Sequence, residues 1–134
     1  MSFQDLYRLS SHAVIFDKDN RVLLLKQNYG DGRWGLPGGS LEKGETVHDA
    51  LIRECYEEIG IKVKIEYLSG IYYHSEFNSH VFIFKCNDIN ENIIKLSNEH
   101  SEYKYVEINE LNEVQRERIE DCKKYKGVVK SKSF

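Results

Sequence analysis

A chain of 134 residues with 40% hydrophobic content and one proline is long enough for a single domain with a real core, which excludes a disordered polymer. Its formal net charge of −3 excludes the strongly basic surface that nonspecific nucleic-acid binding needs. Cys55, Cys86 and Cys122 are odd in number and widely spaced, so they read as reduced thiols rather than a disulfide or zinc framework.

In chain order, residues 12–16 (HAVIF) and 22–26 (VLLLK) read as strands joined by the turn DKDN. Residues 28–34 contain Gly30, Asp31 and Gly32 and read as a loop. Pro37-Gly38-Gly39 lets the backbone turn tightly, either as an ordinary turn or toward a ligand. Thr46 is suited to cap a helix over 47–59, with Asp49 supporting its first turn and Gly60 ending it in a left-handed conformation. Strand candidates follow at 62–67, 71–74, 80–86 and 103–108, separated by polar connections. Asn109 reads as the cap of a charged helix running to about residue 125, and the basic tail 127–134 is expected to fray. This order predicts an α+β chain, a mixed sheet between helical layers. Neither a signal-like leader nor a membrane-spanning apolar run is evident, so a soluble, cytoplasmic protein without membrane partners is expected.

Glu54, Glu57 and Glu58 stand at i, i+3 and i+4, so a helix brings their carboxylates onto one face. Glu54 and Glu58 continue the stripe of Val47, Ala50 and Leu51 that an amphipathic helix turns inward. They also lie in the C-terminal half, where the helix dipole disfavours negative charge. On an exposed face such repulsion costs only a few tenths of a kcal/mol per pair. Desolvated carboxylates roughly 6 Å apart repel by about 3 kcal/mol at an effective dielectric of 20, and a hard divalent cation reverses that sign. The helix pattern alone leaves a metal site and a solvated acidic face both open.

The surrounding residues add a pattern. Gly39, Glu45 after five residues, and Arg53-Glu54-Cys55-Tyr56-Glu57-Glu58-Ile59-Gly60-Ile61 after seven more resemble the Nudix box, G-x5-E-x7-R-E-U-x-E-E-x-G-U with U a bulky aliphatic. Every polar and glycine position matches. Cys55 at the first U position departs from the pattern without removing a ligand. The lead-in WGLPGG at 34–39 is also typical of the family. The resemblance implies one Nudix domain over 1–134, with its box at 39–61, folded as an α/β/α sandwich.

The same resemblance implies a Mg²⁺-dependent hydrolase, with Mn²⁺ as a substitute, that cleaves a pyrophosphate linkage in a nucleoside diphosphate joined to another group. The implied metal ligands are the Gly38 carbonyl and Glu54, Glu57, Glu58 and Glu99. Glu99 is included because it lies six residues before Tyr105, with Glu102 as its rival. The residues implied to carry catalysis are Arg53, Glu54, Glu57, Glu58 and Glu99, with Glu54 a ligand, a base or both. Arg53 is expected to orient the acids through a bidentate fork to Glu45. The implied partner is a small phosphorylated nucleotide, such as a nucleoside triphosphate or a nucleotide sugar. Homodimers are frequent in the family. Pro37 is the chain's sole proline, so the proline beyond the box that often marks ADP-ribose hydrolases is absent. Tyr29, Trp34, Tyr72, Tyr73 and Phe77 are candidates to stack on a base, although aromatic residues on strands more often fill cores. The alternative is a nucleotide-sensing domain without turnover, against which the retained acids Glu54, Glu57 and Glu58 weigh.

Overall fold

Successive side chains of a strand point to opposite faces, and that rule assigns the core of this protein. A computed structural model describes residues 4–134; residues 1–3 of the expected 1–134 domain lie outside the described residues. The strands are β1 (Arg8–Val14), β2 (Val22–Gln27), β3 (Trp34–Gly35), β4 (Gly38–Ser40), β5 (Ile65–His74), β6 (Ser79–Cys86), β7 (His100–Val106) and β8 (Lys130–Ser133). The helices are α1 (Val47–Ile59) and α2 (Glu113–Lys123), with short 3₁₀ turns at Glu91–Ile93 and Ile108–Glu110. Ala13 and Ile15 enter one core with Leu51, Cys55 and Ile59 of α1, whereas Val14 enters a second core with Ile119 and Cys122 of α2. On β2 the same parity sends Leu23 and Leu25 to the α1 side and Val22 and Leu24 to the α2 side. A strand covered on both faces reads as an unbroken apolar run, which is why VLLL does not alternate.

The main sheet is mixed, with strand order β4-β1-β6-β5-β8. β1 runs parallel to β6 and β5 parallel to β8, while β4–β1 and β5–β6 are antiparallel. β3, β2 and β7 form a second, antiparallel sheet. The predicted sandwich is therefore present, with its sheet layer divided in two. Among the described residues no helix is long and apolar enough to cross a membrane.

Three local expectations are corrected. The separate strands at 62–67 and 71–74 are one ten-residue strand, β5, because a register shift between Leu68 and Gly70 absorbs the turn-like Ser69-Gly70 without ending the pairing. The cap of α2 is Asn112, whose side chain accepts from Gln115 N–H at 2.9 Å; Asn109 lies inside a 3₁₀ turn. The tail is not frayed. β8 pairs with β5 from Gly70 to Tyr73, Phe134 N–H donates to Tyr73 O at 2.8 Å, and the Phe134 ring stacks on buried Tyr72.

Candidate active site

The acidic helix is fixed at both ends by local chemistry. Thr46 Oγ1 accepts from Asp49 N–H at 3.1 Å while Asp49 Oδ2 accepts from Thr46 N–H at 3.4 Å, a reciprocal capping box. Gly60, at φ 72°, closes the other end in the left-handed region, its N–H donating to Tyr56 O. Ser11 of β1 ties the first turn to the sheet by donating to Val47 O at 2.7 Å.

Against this helix lies β4. Gly38 sits at φ 138°, and a Cβ there would overlap Ser11 O and fall 2.7 Å from His12 Cα, so a side chain is excluded by conformation and by space. Its N–H donates to Glu58 Oε1 at 2.9 Å. At Gly39 a Cβ would stand 2.6 Å from Glu54 Cδ, so the missing side chain admits the carboxylate to the strand. The two glycines thus allow the backbone close approach to two acids of α1.

Arg53 organises the exposed flank. Its Nε–H and Nη2–H donate to Glu45 at 2.7 and 3.0 Å, the expected bidentate fork. Its Nη1–H reaches Glu54 Oε1 at 3.1 Å and Glu57 Oε2 at 3.2 Å, and Nη2–H also donates to Ser40 O at 3.1 Å. One guanidinium therefore links the loop before the helix, two box acids and β4. The Arg53 fork holds the Glu45 carboxyl below its usual range.

Glu58 is only 5% exposed, and burial pushes its carboxyl up to about 8. The Gly38 N–H opposes that shift, and the charges of Glu54, Glu99 and Glu57 add to it. Glu54 is raised in the same way, by burial first, against the pull of Arg53. Glu99, on the loop before β7, is near enough for its charge to be felt by both Glu54 and Glu58. Its rival Glu102 pairs instead with Lys26 at 3.4 Å. Glu57 stays more than half exposed.

Glu54, Glu57, Glu58 and Glu99 are a hard-oxygen donor set with excess negative charge, of which Arg53 meets only Glu54 and Glu57, and this fits a divalent cation in chemistry. Their present arrangement is less closed than a finished site. Among the described residues no three His, Cys, Asp or Glu side chains are gathered tightly enough to enclose an ion, and Arg53 lies against Glu54 and Glu57.

Beside the acids runs a cleft of about 460 Å³ lined by Gly38, Gly39, Tyr29, Phe77, His74 and Arg118. A recess of about 150 Å³ shares Gly38 and Arg118 and adds Glu58. Of the aromatic candidates, Tyr29 and Phe77 are exposed on this cleft. Tyr72 is fully buried with its hydroxyl on Asp121, Tyr73 bonds Asn78, and Trp34 lies under Lys104. Arg118 and His74 of the cleft and Gln115 of the recess were not anticipated there. A signal for Arg118 and Gln115 exists, since Gln115, Arg118, Ile119 and Cys122 follow i, i+3, i+4, i+7 spacing and share an inward stripe.

The family model for the NUDIX domain matches residues 6–125. The chain belongs to the NUDIX family. Over 81 residues it is 35% identical to a MutT-like protein of Streptomyces ambofaciens, a match covering 60% of this chain and 52% of that one. Over 73 residues it is 44% identical to an ADP-ribose pyrophosphatase of Methanocaldococcus jannaschii, covering 49% and 43%. The chain spans about half the length of these curated relatives. A crystal structure of an ADP-ribose pyrophosphatase from Streptococcus suis superposes with a TM-score of 0.75 at 20% identity, covering 96% of this chain and all of that one, a likeness of fold. The Cys55 departure from the NUDIX box is a packing detail: its side chain is fully buried in the α1-side core with Phe84.

Proposed function

We propose that this NUDIX domain is a divalent-metal-dependent hydrolase that cleaves the pyrophosphate linkage of a nucleoside diphosphate joined to another group. The observation that carries this reading is Glu58, a carboxyl buried on the Gly38 N–H and pushed up to about 8 beside three further acids. Such a group is costly in the free protein and becomes favourable when a cation and a phosphate chain arrive together. Glu54, Glu57, Glu58, Glu99 and the Gly38 carbonyl would hold the metal, with Mg²⁺ first and Mn²⁺ as its substitute. When bound, the ion supplies neutralisation of phosphate oxygens and acidification of a water molecule.

The remaining work belongs to side chains. Glu54, partly buried and with its carboxyl raised by that burial, is suited to take a proton from attacking water. Arg53 sets the positions of Glu54 and Glu57 through its own anchorage on Glu45 and Ser40. The adjacent cleft has the volume to receive a nucleotide, with Tyr29 and Phe77 offering ring faces. A nucleoside triphosphate or a nucleotide sugar fits this arrangement.

The test is a product screen with and without Mg²⁺ against nucleotide sugars, dinucleoside polyphosphates, ordinary and oxidised nucleoside triphosphates and coenzyme A, read by mass. Metal-dependent release of a nucleoside mono- or diphosphate that Glu57→Gln abolishes supports the reading. Tight nucleotide binding without any product would instead establish a sensing domain.

A further inference from the structure

Arg118 extends from α2 into the cleft, is 8% exposed, and lines both the larger cavity and the recess it shares with Glu58. Its partners are all neutral. One Nη1–H faces Nε2 of His74 at 3.2 Å, an Nη2–H meets Gln115 Oε1, and Nε–H has no acceptor. The His74 imidazole is held down by burial and then by the charge of Arg118 itself. The acids nearest in sequence are engaged elsewhere. Asp121 accepts from the Tyr72 hydroxyl at 2.9 Å and lies 3.1 Å from Lys132 Nζ, Glu117 also meets Lys132, and Glu120 meets Lys124. Among the described residues no carboxylate forms an ion pair with Arg118.

A guanidinium carries five N–H donors and stays charged in proteins, so it does not escape burial by losing a proton. Burying such a charge without an anion is costly, and natural proteins rarely do so without a counter-charge. Burial lowers the Arg118 pKa to about 10, which leaves it a cation at neutral pH. The neutral acceptors on His74 and Gln115 leave that charge uncompensated, so a carbonyl edge of a base would only add a third neutral partner. An oxyanion supplies both the missing charge and paired acceptors for the planar fork.

We infer that Arg118 is the receptor for a phosphate oxyanion of the substrate, separate from the groups held by the carboxylates of α1. This rests on the proposed hydrolase reading in that the oxyanion arrives as part of a nucleotide. It narrows the substrate to one that brings a phosphoryl group to Arg118 while presenting the scissile linkage to Glu54, Glu57 and Glu58.

The test uses the full chain in EDTA, where the carboxylates contribute no metal. Binding of inorganic pyrophosphate, inorganic phosphate and the neutral nucleoside adenosine is measured by calorimetry and thermal shift for wild type, Arg118→Met and Arg118→Lys. The expected result is pyrophosphate binding that weakens at least tenfold in Arg118→Met and is partly kept in Arg118→Lys, with adenosine unaffected. Free Arg118→Met should melt at or above wild type, because an uncompensated charge has been removed. Equal pyrophosphate affinity in all three proteins overturns the inference. So does an Arg118→Met protein that melts well below wild type and binds adenosine as poorly as pyrophosphate, the behaviour of a structural arginine. Product assays on the same proteins separate the two claims. Turnover with unchanged pyrophosphate binding removes the role of Arg118 alone. Absent turnover in wild type removes the hydrolase reading and leaves the anion measurement standing.

Discussion

Glu58 shows what a carboxyl gives up when it is folded into a wall of glycine backbone. Its folded pKa of about 8 lies above the value of 4.5 for a free glutamate, so the native state holds a proton that the unfolded chain has lost. That preference stabilises the metal-free protein fully only below the unfolded pKa, and the contribution is lost as pH rises toward 8. In EDTA, the unfolding free energy from urea titration should therefore fall between pH 6.5 and 8.5, by up to about 2 kcal/mol in this part of the window. Glu58→Gln keeps an acceptor for the Gly38 N–H and should flatten the profile; an equally steep fall in that variant would contradict the assignment. Arg53 acts differently, through the positions of its neighbours. Arg53→Ala should lower kcat by roughly 10–100-fold with little change in KM. A variant with normal kcat would show that the Glu45–Arg53 fork is scaffolding alone.

At the scale of elements, what could be read in advance follows the range of the interaction. The Thr46 cap and the Gly60 terminus of α1 are set by residues close in sequence, and each stands where the sequence placed it. β8 depends on a partner some sixty positions away, and KSKS carries no apolar alternation to announce it. Its hold is the backbone ladder to β5, the Lys132 ion pairs to Glu117 and Asp121 of α2, and the Phe134 ring on Tyr72. Removing residues 130–134 should consequently lower the melting temperature by roughly 5 °C or more, since each 1 kcal/mol lost moves a chain of this size by several degrees. An unchanged melt would mean that the strand adds nothing. Arg118 escaped notice for a related reason. Its helical spacing was available, but arginine on a charged helix ordinarily faces water, and only the packing of α2 against β5 and β6 turned it inward.

For the molecule as a whole, fold and proposed site meet at Glu54 and Glu58, whose carboxyls burial disfavours in charged form and which the proposed cation would stabilise. The box supplied the identity of those acids through resemblance, whereas the burial of Glu58, the partial burial of Glu54 and the cleft beside them emerge only in the folded chain. Mg²⁺ should raise global stability by about 2.7 kcal/mol at a concentration one hundred times its dissociation constant. The Glu57→Gln, Glu58→Gln double variant should lose that gain, as read by differential scanning calorimetry. A metal-dependent rise of the same size in the double variant would place the ion elsewhere.

The termini of the five-stranded sheet carry a last consequence. One border is β4, three residues long and packed beside α1; the other is β8, whose Lys130 and Lys132 punctuate an otherwise open ladder. Brevity at one margin and charged side chains at the other, Lys130 and the ion-paired Lys132, discourage neighbouring copies from extending the sheet. The strand that seals Tyr72 thus doubles as a guard against aggregation, and a chain clipped before residue 130 would bare β5 to strangers.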